Sequence, residues 1–153
     1  MSEIGATEIV NTPADGETTK GVSSNWAYDH AANKDAHHAL YADRGDPEDY
    51  DFTEVGLTFD GDWYNLSLAS VIPVGTKAVH LAIAAGGESA FDTFSVRKNG
   101  NVNAINAGTL IIQVPGVYVS GDFIVCADAN RLIGYSGTSG ITAVQGKVRG
   151  WWI

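Results

Sequence analysis

Hydrophobic and polar residues alternate along the chain from about residue 51 onward, in short runs separated by turn residues. The clearest run is "AVHLAIA", in which Val79, Leu81 and Ile83 share one face and His80 lies on the other. Turn clusters such as "FDGDW", "IPVGTK", "RKNGN" and "SGTSG" separate the runs at a spacing of roughly ten residues. The pattern predicts a mainly β fold, with about eight strands in an antiparallel β-sandwich or jelly roll.

The chain before these strands has a different character. Residues 1–22 are polar and without periodicity, which predicts a flexible N-terminal arm. Residues 23–42 open with "SSN", which supplies helix N-cap residues, and continue Ala-rich without Pro or Gly until Gly45. They predict one N-terminal helix. An acidic linker over 43–50 then leads to a β-sandwich head over 51–153.

One stripe of the predicted helix repeats with the 4-3-4-3 spacing of a coiled-coil seam. Its members are Trp26, His30, Asn33, His37 and Leu40. Three central polar layers offer little apolar area for packing against the chain's own head domain. Around a symmetry axis each polar residue would meet its copies, and such layers fix register and oligomer number. The stripe therefore predicts an axial oligomerisation helix.

Two other interpretations of this helix stay open. A flatter stripe could pack on the β domain or face solvent, and it consists of Ala27, Ala31, Lys34, His38 and Tyr41. Alternatively, the layers of His30 and His37 could bind a metal ion on the oligomer axis; no other cofactor is expected. A separate hint of oligomerisation comes from the ending "VRGWWI", which places Trp151 and Trp152 on opposite faces of a strand. One can enter the core, and the other then needs cover from a neighbouring subunit.

Charge and composition exclude several classes of protein. The net charge is −9, with −11 in residues 1–62 and +2 in residues 63–153, and no basic face suits nucleic acid. No apolar stretch is long enough for membrane insertion, and the N-terminus has no signal-peptide pattern. The single cysteine, Cys126, lies in the apolar run "FIVCAD" and is expected to be a small core residue.

Catalytic motifs are absent from the sequence, so we expect no enzyme. No zinc-protease, Walker A, dinucleotide-binding or Gly-x-Ser-x-Gly pattern occurs. The carboxylates between Asp43 and Asp62 are clustered as calcium ligands can be, although acidic residues in a linker are more often solvated.

Residues suited to ligand binding are more plentiful. Glycans are bound by aromatic faces together with amide and charged hydrogen-bonding groups, and the loops of the predicted head carry both types. The candidate ligand-binding residues are Tyr50, Trp63, Tyr64, Arg97, Asn99, Asn101, Tyr118 and Tyr135. The alternative is that the aromatic residues fill the core and the asparagines make turns.

Taken together, several segments resemble the carboxy-terminal parts of bacteriophage tail-fibre and other virion-associated receptor-binding proteins. They are "NTPADGETTKGVSSNWAYDHAANKDAHH", "WYNLSL", "IPVGTKAVHL", "SVRKNGN", "IVCADANRLIGY" and "VRGWWI". The resemblance implies a homotrimer with a stalk and a β-sandwich head that contacts a host-surface glycan. It also implies a virion component made in the host cytoplasm. Some tail fibres hold iron through His-x-His motifs, and this chain departs from that pattern because His37 and His38 are adjacent.

We therefore expect a non-enzymatic trimeric attachment module of tail-fibre type. One alternative is a monomeric carbohydrate-binding module of a polysaccharide-acting system. Another is a glycan-degrading enzyme that uses loop carboxylates, because glycosidase acids carry no spacing signature.

Overall fold

The structure is a computed structural model that describes residues 9–10, 21–22 and 40–153. The chain divides into two units, Met1–Ala39 and Leu40–Ile153. In the first unit, β1 (Ile9–Val10) pairs in parallel with β2 (Gly21–Val22), a contact that the sequence did not predict.

The second unit is mainly β, as the alternating pattern predicts, and its strands form two antiparallel sheets. The five-stranded sheet has the order β3-β11-β6-β9, with β4 also paired to β11. Its strands are β3 (Tyr41–Asp43), β4 (Phe52–Thr53), β6 (Ala78–Gly87), β9 (Val119–Cys126) and β11 (Ile141–Trp152).

The four-stranded sheet has the order β5-β10-β7-β8. Its strands are β5 (Tyr64–Ser67), β7 (Thr93–Lys98), β8 (Ala107–Ile111) and β10 (Leu132–Gly137), and a 3₁₀ turn at Ala104–Asn106 precedes β8. Of the described residues, none form a helix with the length and hydropathy needed to cross a bilayer.

A single hydrophobic core receives side chains from both sheets. In β6, Val79, Leu81 and Ile83 are at most 2% exposed, whereas His80 on the opposite face is half-buried. Burying a side chain of this size stabilises the fold by about 1.5–3 kcal/mol. The period of two along the strand thus decides which face of each sheet meets the core and which face, here called the outer face, points away from it.

The predicted helix over residues 23–42 is wrong at its C-terminal end. Tyr41–Asp43 is strand β3, which pairs with Gly150–Trp152 of β11. Leu40, a predicted seam residue, is 51% exposed, and its carbonyl accepts a hydrogen bond from the Ile153 amide at 3.3 Å. Pairing with β11 satisfies backbone groups that helix propensity alone does not weigh. The other seam residues, Trp26, His30, Asn33 and His37, lie outside the described residues, as does the proposed metal site.

The residues assigned to an acidic linker continue along β11. Asp43 belongs to β3, the Arg44 amide donates to the Arg149 carbonyl, and the Arg44 guanidinium pairs with Asp51. Asp51 also accepts a hydrogen bond from the Val148 amide at 2.7 Å. This segment is therefore fastened to the sheet by backbone and side-chain contacts.

The C-terminal tryptophans do not require a second subunit. Trp151 packs against the core, and Trp152 contacts Tyr41 of the same chain, with ring centroids 4.7 Å apart. Tyr41 supplies the cover that the sequence assigned to a neighbouring subunit. This removes one of the two sequence arguments for oligomerisation.

Cys126 is exposed, contrary to the expectation of a core residue. Its neighbours Val125 and Ala127 are 5% and 9% exposed, so the alternation along β9 turns the thiol outward. The apolar run hid this alternation because every second residue in it is also apolar.

Candidate functional site

A groove on the outer face of the four-stranded sheet gathers most of the predicted ligand-binding residues. Its volume is ≈ 220 Å³, which is below the range of about 300–1,000 Å³ that is typical of pockets for drug-sized ligands. We call it the Trp63 groove. Its lining consists of Trp63, Tyr64, Asn65, Arg97, Asn99, Gly100, Asn101, Val102 and Gly134.

Strand register builds the floor of the Trp63 groove. Gly134 of β10 pairs with Asn65 of β5 on one side and with Arg97 of β7 on the other. Because Gly134 has no side chain, Trp63 and Arg97 close over it. The Arg97 Cζ lies 3.6 Å from the centroid of the Trp63 ring, which is the geometry of a cation–π contact. The indole remains 37% exposed.

The turn after β7 forms the rim of the groove. The Asn101 amide donates to the Lys98 carbonyl at 3.2 Å, and Gly100 has a φ of 80°, a conformation that glycine adopts without strain. The Asn99 side chain donates to Asp128 Oδ2 at 2.9 Å. This bond holds the rim against the turn that begins at Asp128.

Asp128 organises that turn from the other side. Its Oδ1 accepts hydrogen bonds from the Leu132 and Asn130 amides, both at 2.8 Å. The bond from Leu132 and the one from Asn99 hold the pKa of Asp128 below its ordinary value of 3.8. The carboxylate is therefore ionised and committed to its neighbours at neutral pH.

Tyr64 lies where the groove meets the core. Its ring centroid is 5.8 Å from that of Tyr135, and its hydroxyl donates to Asp60 Oδ2 at 2.6 Å. This hydrogen bond raises the pKa of Tyr64 to about 12. The same bond, with a second one from the Asp62 amide, lowers the pKa of Asp60 below 3.8.

A second groove, here called the Tyr50 groove, crosses the outer face of the five-stranded sheet and has a volume of ≈ 300 Å³. The groove forms because the side chains of Ala82 and Ala84 on the central strand β6 are shorter than those on the flanking strands. Lys147 and Asp122 flank Ala82 directly in the register of the sheet. The lining is Tyr50, Ala82, Ile83, Ala84, Ser120, Gly121, Asp122, Gln145, Lys147 and Arg149.

The charged side chains that line the Tyr50 groove contact one another or backbone carbonyls. Asp122 Oδ1 lies 3.0 Å from Arg149 Nε and 3.2 Å from His80 Nε2. The Tyr41 hydroxyl lies 3.4 Å from His80 Nδ1, which extends the chain of contacts. Lys147 donates to the carbonyls of Pro47 and Glu48. These side chains brace the sheet surface and one another.

The predicted ligand-binding residues therefore fall into three groups. Trp63, Tyr64, Arg97, Asn99 and Asn101 line one groove, whereas Tyr50 lines the other. The remaining two candidates lie elsewhere: Tyr118 is 52% exposed outside both grooves, and Tyr135 is a core residue at 3% exposure.

The burial of Tyr135 has a structural reason. It alternates inward with Ile133 on β10, and its hydroxyl accepts a hydrogen bond from the Thr58 amide at 3.0 Å. It supports the sheet and presents no face to a ligand. Conversely, sequence reasoning missed Asn65 and Gly134, whose place in the groove depends on the register of three strands.

Metal ligands do not cluster in the part of the chain that the structure describes. Within residues 9–10, 21–22 and 40–153, no group of three or more His, Cys, Asp or Glu side chains is placed to hold a metal ion. Three acidic residues of the segment between Asp43 and Asp62 have other partners: Asp43 accepts from the Gly45 amide, Asp51 from Arg44 and Asp60 from Tyr64.

Comparison with protein-family models, with curated proteins and with solved structures found no match to this chain. The geometry of the two grooves therefore carries the functional argument.

Proposed function

We propose that this protein is a non-enzymatic attachment module of a virion, similar to the carboxy-terminal part of a tail fibre. In this proposal it assembles as a homotrimer and contacts host-surface glycans through the Trp63 groove. The observation that carries the proposal is the convergence of Trp63, Arg97, Asn99 and Asn101 on one groove outside the core.

The chemistry of this groove suits a sugar. The exposed part of the Trp63 indole offers an apolar surface to the C–H groups of a pyranose ring. Asn65, Asn99 and Asn101 offer amide donors and acceptors to its hydroxyl groups. A few well-placed polar groups beside an aromatic surface are typical of small-ligand sites.

The finer architecture is part of the same proposal. The two antiparallel sheets share one hydrophobic core, which supports a face-to-face β-sandwich of the jelly-roll type. Such a head would leave both outer faces, and with them both grooves, open to solvent.

A glycan array followed by titration tests the binding proposal. We expect the wild-type protein to bind a subset of glycans, and Trp63→Ala to weaken that binding several-fold or more. Tyr50→Ala is the matched control, since it removes an exposed aromatic ring that lines the other groove. If Tyr50→Ala abolished binding while Trp63→Ala left it unchanged, the groove assignment would be wrong. Thermal unfolding of both variants checks that they are folded.

The trimer rests on the histidine-bearing seam in the first unit of the chain. Sedimentation velocity should give three times the subunit mass at micromolar protein concentration. The double variant His30→Leu with His37→Leu should change the thermal stability or the oligomer number, because polar layers in a seam set both. A single-subunit mass for the wild-type protein would end this part of the proposal.

A monomeric carbohydrate-binding module is the second candidate. The contact between Trp152 and Tyr41 of the same chain favours it, since the terminal strand then needs no second subunit. The same sedimentation experiment separates the two candidates. The glycan array does not distinguish them, because both predict glycan binding.

A further inference from the structure

Arg97 differs from the other arginines in the part of the chain that the structure describes. Arg44 pairs with Asp51, Arg149 pairs with Asp122, and Arg131 donates to the carbonyls of Ala69 and Ile72. Arg97 stacks on Trp63 and, among residues 40–153, forms neither a salt bridge nor a side-chain hydrogen bond. Within the described residues, the five N–H donors of its side chain have no acceptor.

The carboxylates near the groove are already committed elsewhere. Asp60 accepts hydrogen bonds from the Tyr64 hydroxyl and the Asp62 amide. Asp128 accepts from Asn99 and from two backbone amides. These bonds engage both carboxylates, and neither of them forms a salt bridge with Arg97.

The guanidinium is also held in position before any ligand arrives. The Trp63 ring covers it at 3.6 Å, and Gly134 beneath it lets both side chains approach the sheet. A Cβ added at Gly134 would lie 3.3 Å from the Arg97 Cγ and 3.6 Å from Trp63 Cε3. A fixed planar fork loses little conformational entropy on binding, and it matches the two oxygens of a carboxylate.

We propose that the Trp63 groove takes a glycan residue that carries a carboxylate, such as a sialic or uronic acid, and that Arg97 binds the carboxylate. This inference rests on the proposed glycan-binding function. Arg97 would donate two parallel N–H···O bonds to the acid, while Asn101 and Asn65 on the groove lining would bond to the ring hydroxyls. The groove volume of ≈ 220 Å³ suits one terminal sugar residue better than a long oligosaccharide.

Charge complementarity supports an acidic ligand at this end of the chain. Although the whole chain has a net charge of −9, residues 63–153 carry six basic and four acidic residues. Lys98 follows Arg97 in the sequence, and both residues line a second groove beside the Trp63 groove. The local field near the rim thus favours an anion more than the total charge suggests.

Titrations with paired sugars test the proposal. The probes are sialyllactose against lactose and a glucuronic-acid oligosaccharide against its glucose counterpart, followed by nuclear magnetic resonance or calorimetry. We expect the wild-type protein to bind at least one acidic probe more tightly than its neutral partner. Arg97→Gln should weaken that binding by at least about tenfold, because a charge-assisted bond is lost. Arg97→Lys should also weaken it, since lysine keeps the charge but lacks the fork.

Arg149→Gln is the control, because it removes an equal charge from the other sheet, where Asp122 already neutralises it. The affinity of the Arg149→Gln variant for the acidic probe should equal that of the wild-type protein. Equal loss in both variants would mean non-specific attraction and would overturn the inference.

Two further outcomes separate this inference from the proposed function. Binding of neutral sugars as tightly as acidic ones would overturn the role of Arg97 and leave the glycan function standing. Absence of binding to every acidic and neutral probe, on the array and in titration, would overturn both.

Discussion

The outer faces of the two sheets each carry an arginine in a groove, and the two arginines are held in different ways. On the five-stranded sheet, Arg149 forms a salt bridge with Asp122, which also contacts His80. On the four-stranded sheet, Arg97 is held by the Trp63 ring and contacts no carboxylate among the described residues. Both side chains are ordered by a neighbour, but only one of them has its charge neutralised.

The two arginines therefore differ in whether their N–H donors are available to a ligand. A salt bridge uses the donors that a ligand would need, whereas stacking on an aromatic face leaves the edge of the guanidinium open. The Tyr50 groove is larger, at ≈ 300 Å³ against ≈ 220 Å³, yet its charged side chains contact each other or the backbone. Of these two grooves, the smaller one therefore holds the arginine that contacts no carboxylate among the described residues.

The largest effect in this comparison should come from two glycines that lie beneath aromatic rings, one on each sheet. Gly146 lies under the Phe52 ring, and a Cβ there would overlap the ring. Gly146→Ala should displace Phe52 from the core and lower the free energy of unfolding by about 1–3 kcal/mol. Gly134→Ala, beneath Trp63, should change it by less than about 1 kcal/mol, since the added Cβ would lie 3.3 Å from Cγ of the flexible Arg97 side chain, which can shift to accept it. Denaturant unfolding measures both values.

Equal losses in the two glycine variants would contradict this difference. The reason would then lie in the backbone of β10 and β11 and not in the rings that cover them. If Gly134→Ala also kept full affinity for glycans, the floor of the Trp63 groove would tolerate a methyl group.

The next largest effect should come from the turn that fixes the rim of the Trp63 groove. Asp128→Ala removes the acceptor of Asn99 and of two backbone amides, so the melting temperature should fall near neutral pH. The folded-state pKa of Asp128 lies below the unfolded value of 3.8. Its stabilisation is therefore present above about pH 3.8 and is lost as the pH falls through the lower folded-state pKa.

Thermal unfolding as a function of pH checks this prediction. The melting temperatures of the wild-type protein and Asp128→Ala should differ near neutral pH and converge at strongly acidic pH. Asp62→Ala is a suitable control, because the Asp62 side chain accepts no hydrogen bond from the described residues. A constant difference at all pH values would show that ionisation of Asp128 is not the cause.

Most strands were predictable because hydrophobic and polar residues alternate along them with a period of two. The runs that became β6, β7, β10 and β11 alternate, and they lie where the pattern placed them. The run that became β9 was also located, although its apolar residues hid which face each side chain takes. The run "FTEVGLTF" kept only Phe52–Thr53 as strand, since Gly56 turns the chain with a φ of 84°. Tyr41–Asp43 was assigned to a helix because its strand partner lies about 110 residues away in the sequence, beyond the reach of any local pattern.

The sequence predicted the types of residue in the candidate site, but it could not predict which particular residues line the groove. The sequence predicts Trp63, Arg97 and Asn101 as ligand-binding residues because aromatic, charged and amide groups together bind sugars. The sequence could not show that Tyr135 faces the core or that Gly134 forms the floor. Those facts follow from the register between β5, β10 and β7, which depends on long-range pairing.

A smaller effect on stability is expected from a substitution on the outer face of the five-stranded sheet. Asp122→Asn removes the partner of Arg149 and His80, but the Arg149 and Asp122 side chains are 55% and 56% exposed. An exposed salt bridge contributes at most about 1 kcal/mol, so the free energy of unfolding should change little. Asp51→Asn should cost more, because the Asp51 side chain is only 6% exposed and accepts from Arg44 and Val148. Denaturant unfolding of the two variants ranks them, and the reverse order would contradict this account.

The smallest effect on stability should come from modifying Cys126, whose thiol lies on the outer face of β9. A small alkylating reagent should react with it in the native protein and leave the melting temperature nearly unchanged, because the flanking Val125 and Ala127 keep their places in the core. Cys126 also lines a groove of ≈ 260 Å³ next to Arg97 and Asn101. A bulky maleimide should therefore weaken binding of an acidic sugar, while a small alkyl group should not. Protection of the thiol until the protein unfolds would show that β9 does not alternate as described, and the position of Arg97 beside it would then need revision.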